Sequence, residues 1–199
     1  MSPASPRSIG LPNVSTPVTT ADSPVPSPTT STVVTGAVER GTVRVGDTVE
    51  VVGLGTGLSA VVTGVETFGK PMERGEAGDN AALLLRGVRR HQVRRGQVVA
   101  CPGSLAPHSS FAATVHLLSA AEGGRHTPIS TGYRPQFYVR TTSVVGEVDL
   151  GEPGIAAPGD SVAMTVALGR PVALDAGLGF AIREGGRTVG AGTVTDLLD

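Results

Sequence analysis

The run Gly64-Val65-Glu66-Thr67-Phe68-Gly69-Lys70 comes nearest to a nucleotide site, because it satisfies all but the last position of the phosphate-binding loop G-x-x-x-x-G-K-[ST]. Pro71 occupies that position and offers no hydroxyl to magnesium, and Met72-Glu73-Arg74-Gly75 reaches a glycine before a helix can become established. Nucleotide binding is therefore not expected here. His91, His108, His116 and His126 show no spacing that suits zinc, and Cys101 has no second cysteine to help. Ser, His and Asp all occur, but no nucleophile-elbow sequence singles out a serine. The residues point to no catalytic site, no metal and no enzyme.

Two other constellations could bind anions. Glu122-Gly123-Gly124-Arg125 and Glu184-Gly185-Gly186-Arg187 combine glycines, which allow close backbone approach, with a guanidinium. A pair of β-turns explains the same residues, and without further context turns are the better reading. Arg86, Arg89, Arg90, Arg94 and Arg95 form the densest charge cluster. It suits nucleic-acid phosphates and a solvated connecting face equally well. The net charge of −1 gives the whole chain no general attraction to nucleic acid, so any basic surface must be local.

The elements that must carry these residues are strands. Val43 and Val45, then Val49 and Val51, alternate around a Gly46-Asp47 turn, as do Phe111, Ala113, Val115 and Leu117, and Val162, Met164, Val166 and Leu168. No comparable helical stripe appears. Aromatic residues make up only 3% of the chain, so the core must come from Val, Leu, Ala and Ile, with Val favouring the pleated surface of strands. Residues 1–31 contain nineteen Ser, Thr or Pro and are expected to form a disordered tail. Cys101-Pro102-Gly103-Ser104-Leu105-Ala106-Pro107 has the composition of a short linker. The expected architecture is all-β, with consecutive small β-barrels at residues 32–103 and 104–199, since closing each sheet removes its edges. The lone cysteine and the lack of a long apolar run suggest a cytoplasmic protein with no membrane partner.

TVVTGAVERG at 32–41, TGVETFGK at 63–70, GEAGDNAALLLRGV at 75–88 and RRGQVVACPG at 94–103 resemble domain 2 of elongation factor Tu. EGGRHTP at 122–128, GYRPQFYVRTT at 132–142, PGDSVAMTV at 158–166 and GFAIREGGRTVGAGTV at 179–194 are similar to its domain 3. Shared order and spacing over nearly everything after residue 31 make the resemblance specific. It implies two β-barrels that accompany a GTPase domain and help to grip aminoacyl-tRNA.

By that resemblance Glu66 lines a pocket for the terminal adenosine, Val33 and Leu84 give it apolar contact, and Asn80 lies near the aminoacyl group. Arg95 matches an arginine beside the 5′ phosphate, while His126, Gln136, Arg170 and Gly185 match positions along the T-stem backbone. Gly123, Gln136 and Ala181 match the family's interface with its GTPase domain. Ala37, Gly69 and Val145 depart from the pattern by each losing a polar group, and Ile129-Ser130 replaces a pair of aromatics used for an exchange factor. His91 and Arg94 make the Arg86–Arg95 run more basic.

Nothing before Thr32 resembles a phosphate loop, a magnesium-binding switch or a guanine-reading motif, and the strand that normally leads into TVVTG is not recognisable. GTP and magnesium are assigned to a domain this sequence lacks, so no cofactor is expected in this chain. The expected function is a truncated translation-factor module associated with aminoacyl-tRNA, with no DNA partner. The alternatives are an interaction module for a separate GTPase domain or translation component, and a relic of a duplicated gene.

Overall fold

The computed structural model describes residues 8–10, 31–54 and 57–199. One compact unit ends at Leu105 and a second runs from Ala106 to Asp199, a division that falls within the stretch Cys101–Pro107.

The first unit contains β1 (Ser8–Gly10), β2 (Ser31–Arg40), β3 (Thr42–Arg44), β4 (Thr48–Val52), β5 (Leu58–Thr67), β6 (Lys70–Met72), β7 (Arg74–Glu76), β8 (Asn80–Arg86) and β9 (Val98–Ala100). The main sheet runs β4-β9-β1-β2-β8-β5-β6, and an additional β4–β5 pairing returns it on itself. Alternate residues point inward, so Val34, Val38, Val51, Val62, Val65, Leu83, Leu85 and Val99 form one core. The turn after β3 is built as its sequence suggests: Arg44 N donates to Asp47 Oδ2 at 2.9 Å, and Asp47 N donates to Arg44 O at 3.1 Å. Val43 is buried but Val45 is exposed, because β3 stops at Arg44 and the chain is already turning.

Of the expected tail, Ser8, Ile9 and Gly10 are described. They form a strand between β2 and β9, and the physical reason is that ladder hydrogen bonds require backbone N–H and C=O groups rather than an apolar sequence. The rest of the expected tail, apart from Ser31 at the start of β2, lies outside the described residues.

The second unit contains β10 (Ala106–Leu117), β11 (Ile129–Ser130), β12 (Gln136–Val139), β13 (Thr142–Asp149), β14 (Ile155–Ala156), β15 (Ser161–Leu174), β16 (Gly179–Glu184) and β17 (Arg187–Leu197). Six of these close a barrel in the order β10-β15-β13-β12-β16-β17. Phe111, Phe137 and Phe180 meet at its centre, with Phe111 edge-on to both partners at centroid separations of 6.3 and 5.4 Å. Gly192 makes room for them: a Cβ there would lie 2.6 Å from Val115 Cγ2 and 2.9 Å from Phe180 Cζ. The protein is nearly all-β, as its alternating pattern implies.

Candidate nucleic-acid interface

β8 organises the outward face of the first unit. Leu83 and Leu85 are fully buried, so the period of two turns Asn80, Ala82, Leu84 and Arg86 outward. Antiparallel pairing with β2 and β5 sets three rows across the face: Ser31–Arg86–Val61, Val33–Leu84–Gly64 and Thr35–Ala82–Glu66; Ala37–Asn80 follows. A bulge between Val62 and Gly64 adjusts β5, and Thr63 Oγ1 donates to Leu84 O at 3.1 Å. Gly64 leaves Leu84 open, since a Cβ there would already touch Leu84 Cβ at 3.4 Å.

Val33 and Leu84 are cross-strand neighbours, 42% and 37% exposed, which makes an apolar spot on a solvent face. Glu66 sits one row on and is exposed, opposite Ala82 on one side and Pro71 on the other. Asn80 is four residues from Leu84 on the same strand face, about 13 Å away. Four of the expected residues therefore share one stripe, basic at the Arg86 end, apolar at Val33 and Leu84, acidic at Glu66 and amide-bearing at Asn80.

The Arg cluster leaves β8 at the Arg86 end. Thr32 Oγ1 donates to Val88 O at 2.8 Å and ties the start of this loop to β2. The same device then occurs twice. In Arg89-Arg90-His91-Gln92, Gln92 Oε1 accepts from Arg89 N at 2.8 Å; in Arg94-Arg95-Gly96-Gln97, Gln97 Oε1 accepts from Arg94 N at 2.7 Å. Gln97 is 2% exposed and its Nε2 also donates to Gly53 O at 3.3 Å, which anchors the second turn. The repeated R-R-x-Q spelling was the available signal. Arg89, Arg90, Arg94 and Arg95 are all exposed on this double turn.

The decoy run 64–70 shows no phosphate loop. It is the end of β5, a two-residue turn at Phe68 (φ +50°) and Gly69 (φ +73°), and the start of β6. The left-handed backbone at Gly69 gives a conformational reason for glycine there.

In the second unit the two EGGR motifs meet. Arg125 pairs with Glu184 through Nη1, stacks over the Tyr133 ring at 5.0 Å and donates through Nε to Thr127 O at 3.3 Å. Burial opposes its charge, but the hydrogen bond and charge of Glu184 and the charge of Tyr133 outweigh that and hold its pKa above the ordinary value. Burial also raises the Tyr133 pKa, with the Glu184 charge adding to it. Gly185 (φ +54°) and Gly186 (φ +80°) make the tight β16–β17 turn, while Gly123 (φ +81°) ends the 3-10 turn Ala120–Glu122. Both motifs are turns, as the simpler reading has it.

A cleft of about 520 Å³ at this junction brings His126 and Gly185 together with Arg187 and Thr127. Gln136 lies in a row with Val145 and Arg183 on the outward side of β12 and accepts from Tyr138 Oη at 3.2 Å. Arg183 stacks on Tyr138 at 5.0 Å and donates to Gly186 O at 2.6 Å, linking that row to the glycine turn. Ala181 is the Cα partner of Tyr138. Arg170 Nη2 donates to Thr142 Oγ1 at 3.0 Å and Ser143 O at 2.9 Å. Gln136 and Ala181 occupy the paired strands β12 and β16, Arg170 on β15 is separated from them by β13, and Gly123 stands on a separate turn. Of the departures, Val145 is 50% exposed and Ile129 is a core residue at 3%.

These units define a two-barrel, all-β protein whose outward faces carry polar and apolar groups in rows. Residues 31–100 match the family model of elongation factor Tu domain 2, and residues 104–198 match that of the elongation factor Tu C-terminal domain. The chain belongs to the elongation factor Tu family through these two domains. It is 68% identical over 168 residues to elongation factor Tu 2 of Streptomyces avermitilis, across 84% of this chain and 43% of that relative. It spans less than half the length of that protein. No helix among the described residues is long and apolar enough to cross a membrane.

Proposed function

We propose that this chain is a translation-factor module that holds the acceptor end of aminoacyl-tRNA and performs no chemical step of its own. The stripe on β2, β8 and β5 carries the reading. An unpaired terminal base fits an apolar spot of Val33 and Leu84 flanked by the Glu66 carboxylate, which can accept from base amino or ribose hydroxyl groups. Asn80 supplies donor and acceptor groups toward the aminoacyl ester. Arg95, on its turn beyond Arg86, offers a charge-assisted contact to a terminal phosphate.

The cleft of His126 and Gly185, with Arg170 on β15 and Gln136 on β12, is the proposed backbone contact in the second unit. It reads shape and phosphate rather than sequence. GTP and magnesium have no proposed site in this chain, and tRNA affinity is proposed to be weak because it draws on these two surfaces alone. A second reading rests on the Gln136–Tyr138–Arg183 network beside Ala181, an ordered outward face suited to a separate GTPase domain.

Titration of the full chain with aminoacyl-tRNA and deacylated tRNA, alongside Glu66→Ala and Arg95→Ala, tests the proposal. Preference for the charged species that Glu66→Ala removes supports it. Equal, negligible binding at low salt sinks it and favours the interaction reading.

A further inference from the structure

The end of β8 and the loop to β9 carry more positive charge than one terminal phosphate can use. Arg86, Arg89, Arg90, Arg94 and Arg95 fall in a stretch with no Asp or Glu between Asp79 and Glu122. No ion pair among the described residues engages any of the five, whereas Arg74, Arg125, Arg134 and Arg140 each have a carboxylate partner. Like charges grouped without counter-charges repel one another, and a bound anion removes that repulsion.

The loop is also built rather than loose. Arg89-Arg90-His91-Gln92 and Arg94-Arg95-Gly96-Gln97 repeat at an interval of five residues. In each, the glutamine Oε1 accepts from the N–H of the first arginine, at 2.8 and 2.7 Å, and the glutamine N–H donates to that arginine's carbonyl, at 2.9 and 3.3 Å. Each pair of arginines therefore projects from a turn closed by the same two hydrogen bonds. Both ends of the loop are tied to the barrel, through Thr32 Oγ1 to Val88 O and through Gln97 Nε2 to Gly53 O. Five residues span at most about 17 Å, a distance that five nucleotide steps of one strand cover at about 3.4 Å each.

We propose that Arg89 and Arg90 form a second phosphate subsite beside Arg95, so that the loop holds an internal phosphodiester of a nucleic-acid strand as well as its terminal phosphate. The identity of the partner rests on the acceptor-end reading above, and the number of phosphates on the repeated turn. Guanidinium groups meet phosphate oxygens through paired N–H donors. Gln92 is a positioning residue: it carries no charge but fixes the turn from which both arginines project. The contact is to the backbone, so it depends on neither base sequence nor aminoacylation.

The test is fluorescence titration of the full chain, over a range of salt, with a deacylated acceptor-stem RNA that ends in a 5′-phosphate or a 5′-hydroxyl. In Arg89→Ala/Arg90→Ala the slope of log K against log salt is expected to fall by about one with either RNA. Arg89→Lys/Arg90→Lys, which keeps the charge, is expected to restore it. Removing the 5′-phosphate should lower the slope by about one in wild type and in Arg89→Ala/Arg90→Ala, and leave Arg95→Ala unchanged. Gln92→Ala should weaken binding about fivefold at unchanged slope, because it loosens the turn and keeps every charge. An unchanged slope in Arg89→Ala/Arg90→Ala overturns the proposal, as does absence of binding at low salt. A Gln92→Ala variant that binds as wild type overturns it too, leaving only a diffuse basic face. Should the slopes behave as expected while the chain shows no preference for aminoacylated RNA, the acceptor-end reading fails and the second phosphate subsite stands.

Discussion

Asp199→Asn should loosen the seam between β10 and β17. The β10–β15 ladder shifts register between His108 and Ser110, where residues 168–171 of β15 bulge opposite Ser109. Asp199 fills the resulting need: Oδ2 accepts from Ser109 N at 2.7 Å and Ser109 Oγ at 2.5 Å, and Oδ1 lies 3.1 Å from His108 Nδ1. The Ser109 hydroxyl, then its backbone N–H and the His108 ring, lower the carboxyl pKa from 3.8 to about 2, against a smaller opposing effect of burial. A depressed carboxylate pKa adds stability that is complete above the unfolded value and is lost as pH falls through the folded one.

The gap from 3.8 to about 2 sets an upper bound of about 2.5 kcal/mol at neutral pH. The side chain is 35% exposed, so solvent screening reduces the expected value to about 1 kcal/mol. Asparagine keeps one acceptor for Ser109 N and removes the charge. Urea unfolding of the second unit, followed by amide signals of β10 and β17 at pH 7 and pH 2, measures the difference. The variant should be about 1 kcal/mol less stable at pH 7 and indistinguishable from wild type near pH 2. Equal stabilities at pH 7, or a difference that persists at pH 2, would refute the assignment of the carboxylate to the bulge.

Gly192→Ala should destabilise the second barrel by about 1–3 kcal/mol in thermal unfolding, because its Cβ would meet Val115, Thr114 O and Phe180, all within 3 Å. Glu184→Gln should cost about 1 kcal/mol, since Arg125 is only 20% exposed and loses its charge partner; loss confined to high salt would argue against the pairing. Leu84→Ser should leave stability within about 0.5 kcal/mol while weakening charged-tRNA binding about tenfold in fluorescence titration. Arg95→Ala should reduce the slope of log K against log salt by about one; an unchanged slope would remove Arg95 from the phosphate contacts.

Strand periodicity made much of the fold legible. Burial on one face only makes Phe111, Ala113, Val115 and Leu117, and likewise Met164, Val166 and Leu168, alternate with more exposed neighbours, and that period of two is visible in the sequence. The stripe was legible as residue types but not as a surface, because Val33, Glu66 and Leu84 come from three strands whose register depends on a bulge at Thr63. The Arg125–Glu184 pair likewise joins two motifs that composition shows only as separate turns. The roles of Gln92 and Gln97 are not legible in the sequence alone, because a glutamine oxygen holding a turn resembles any surface amide until the N–H it accepts from is located. The pairing of Ser8–Gly10 on both sides uses only backbone groups, which leave no mark in the composition of a Ser/Pro-rich segment.

The most direct measurement is methyl NMR of the full chain, with Val and Leu labelled, during titration with a short acceptor-stem RNA in aminoacylated and deacylated forms. The Val33 and Leu84 methyls should shift with the aminoacylated RNA far more than with the deacylated one, and Glu66→Ala should abolish the difference. Shifts confined to the second unit, or none from the first at saturating RNA, would contradict the assignment of the β2–β8–β5 face to the acceptor end.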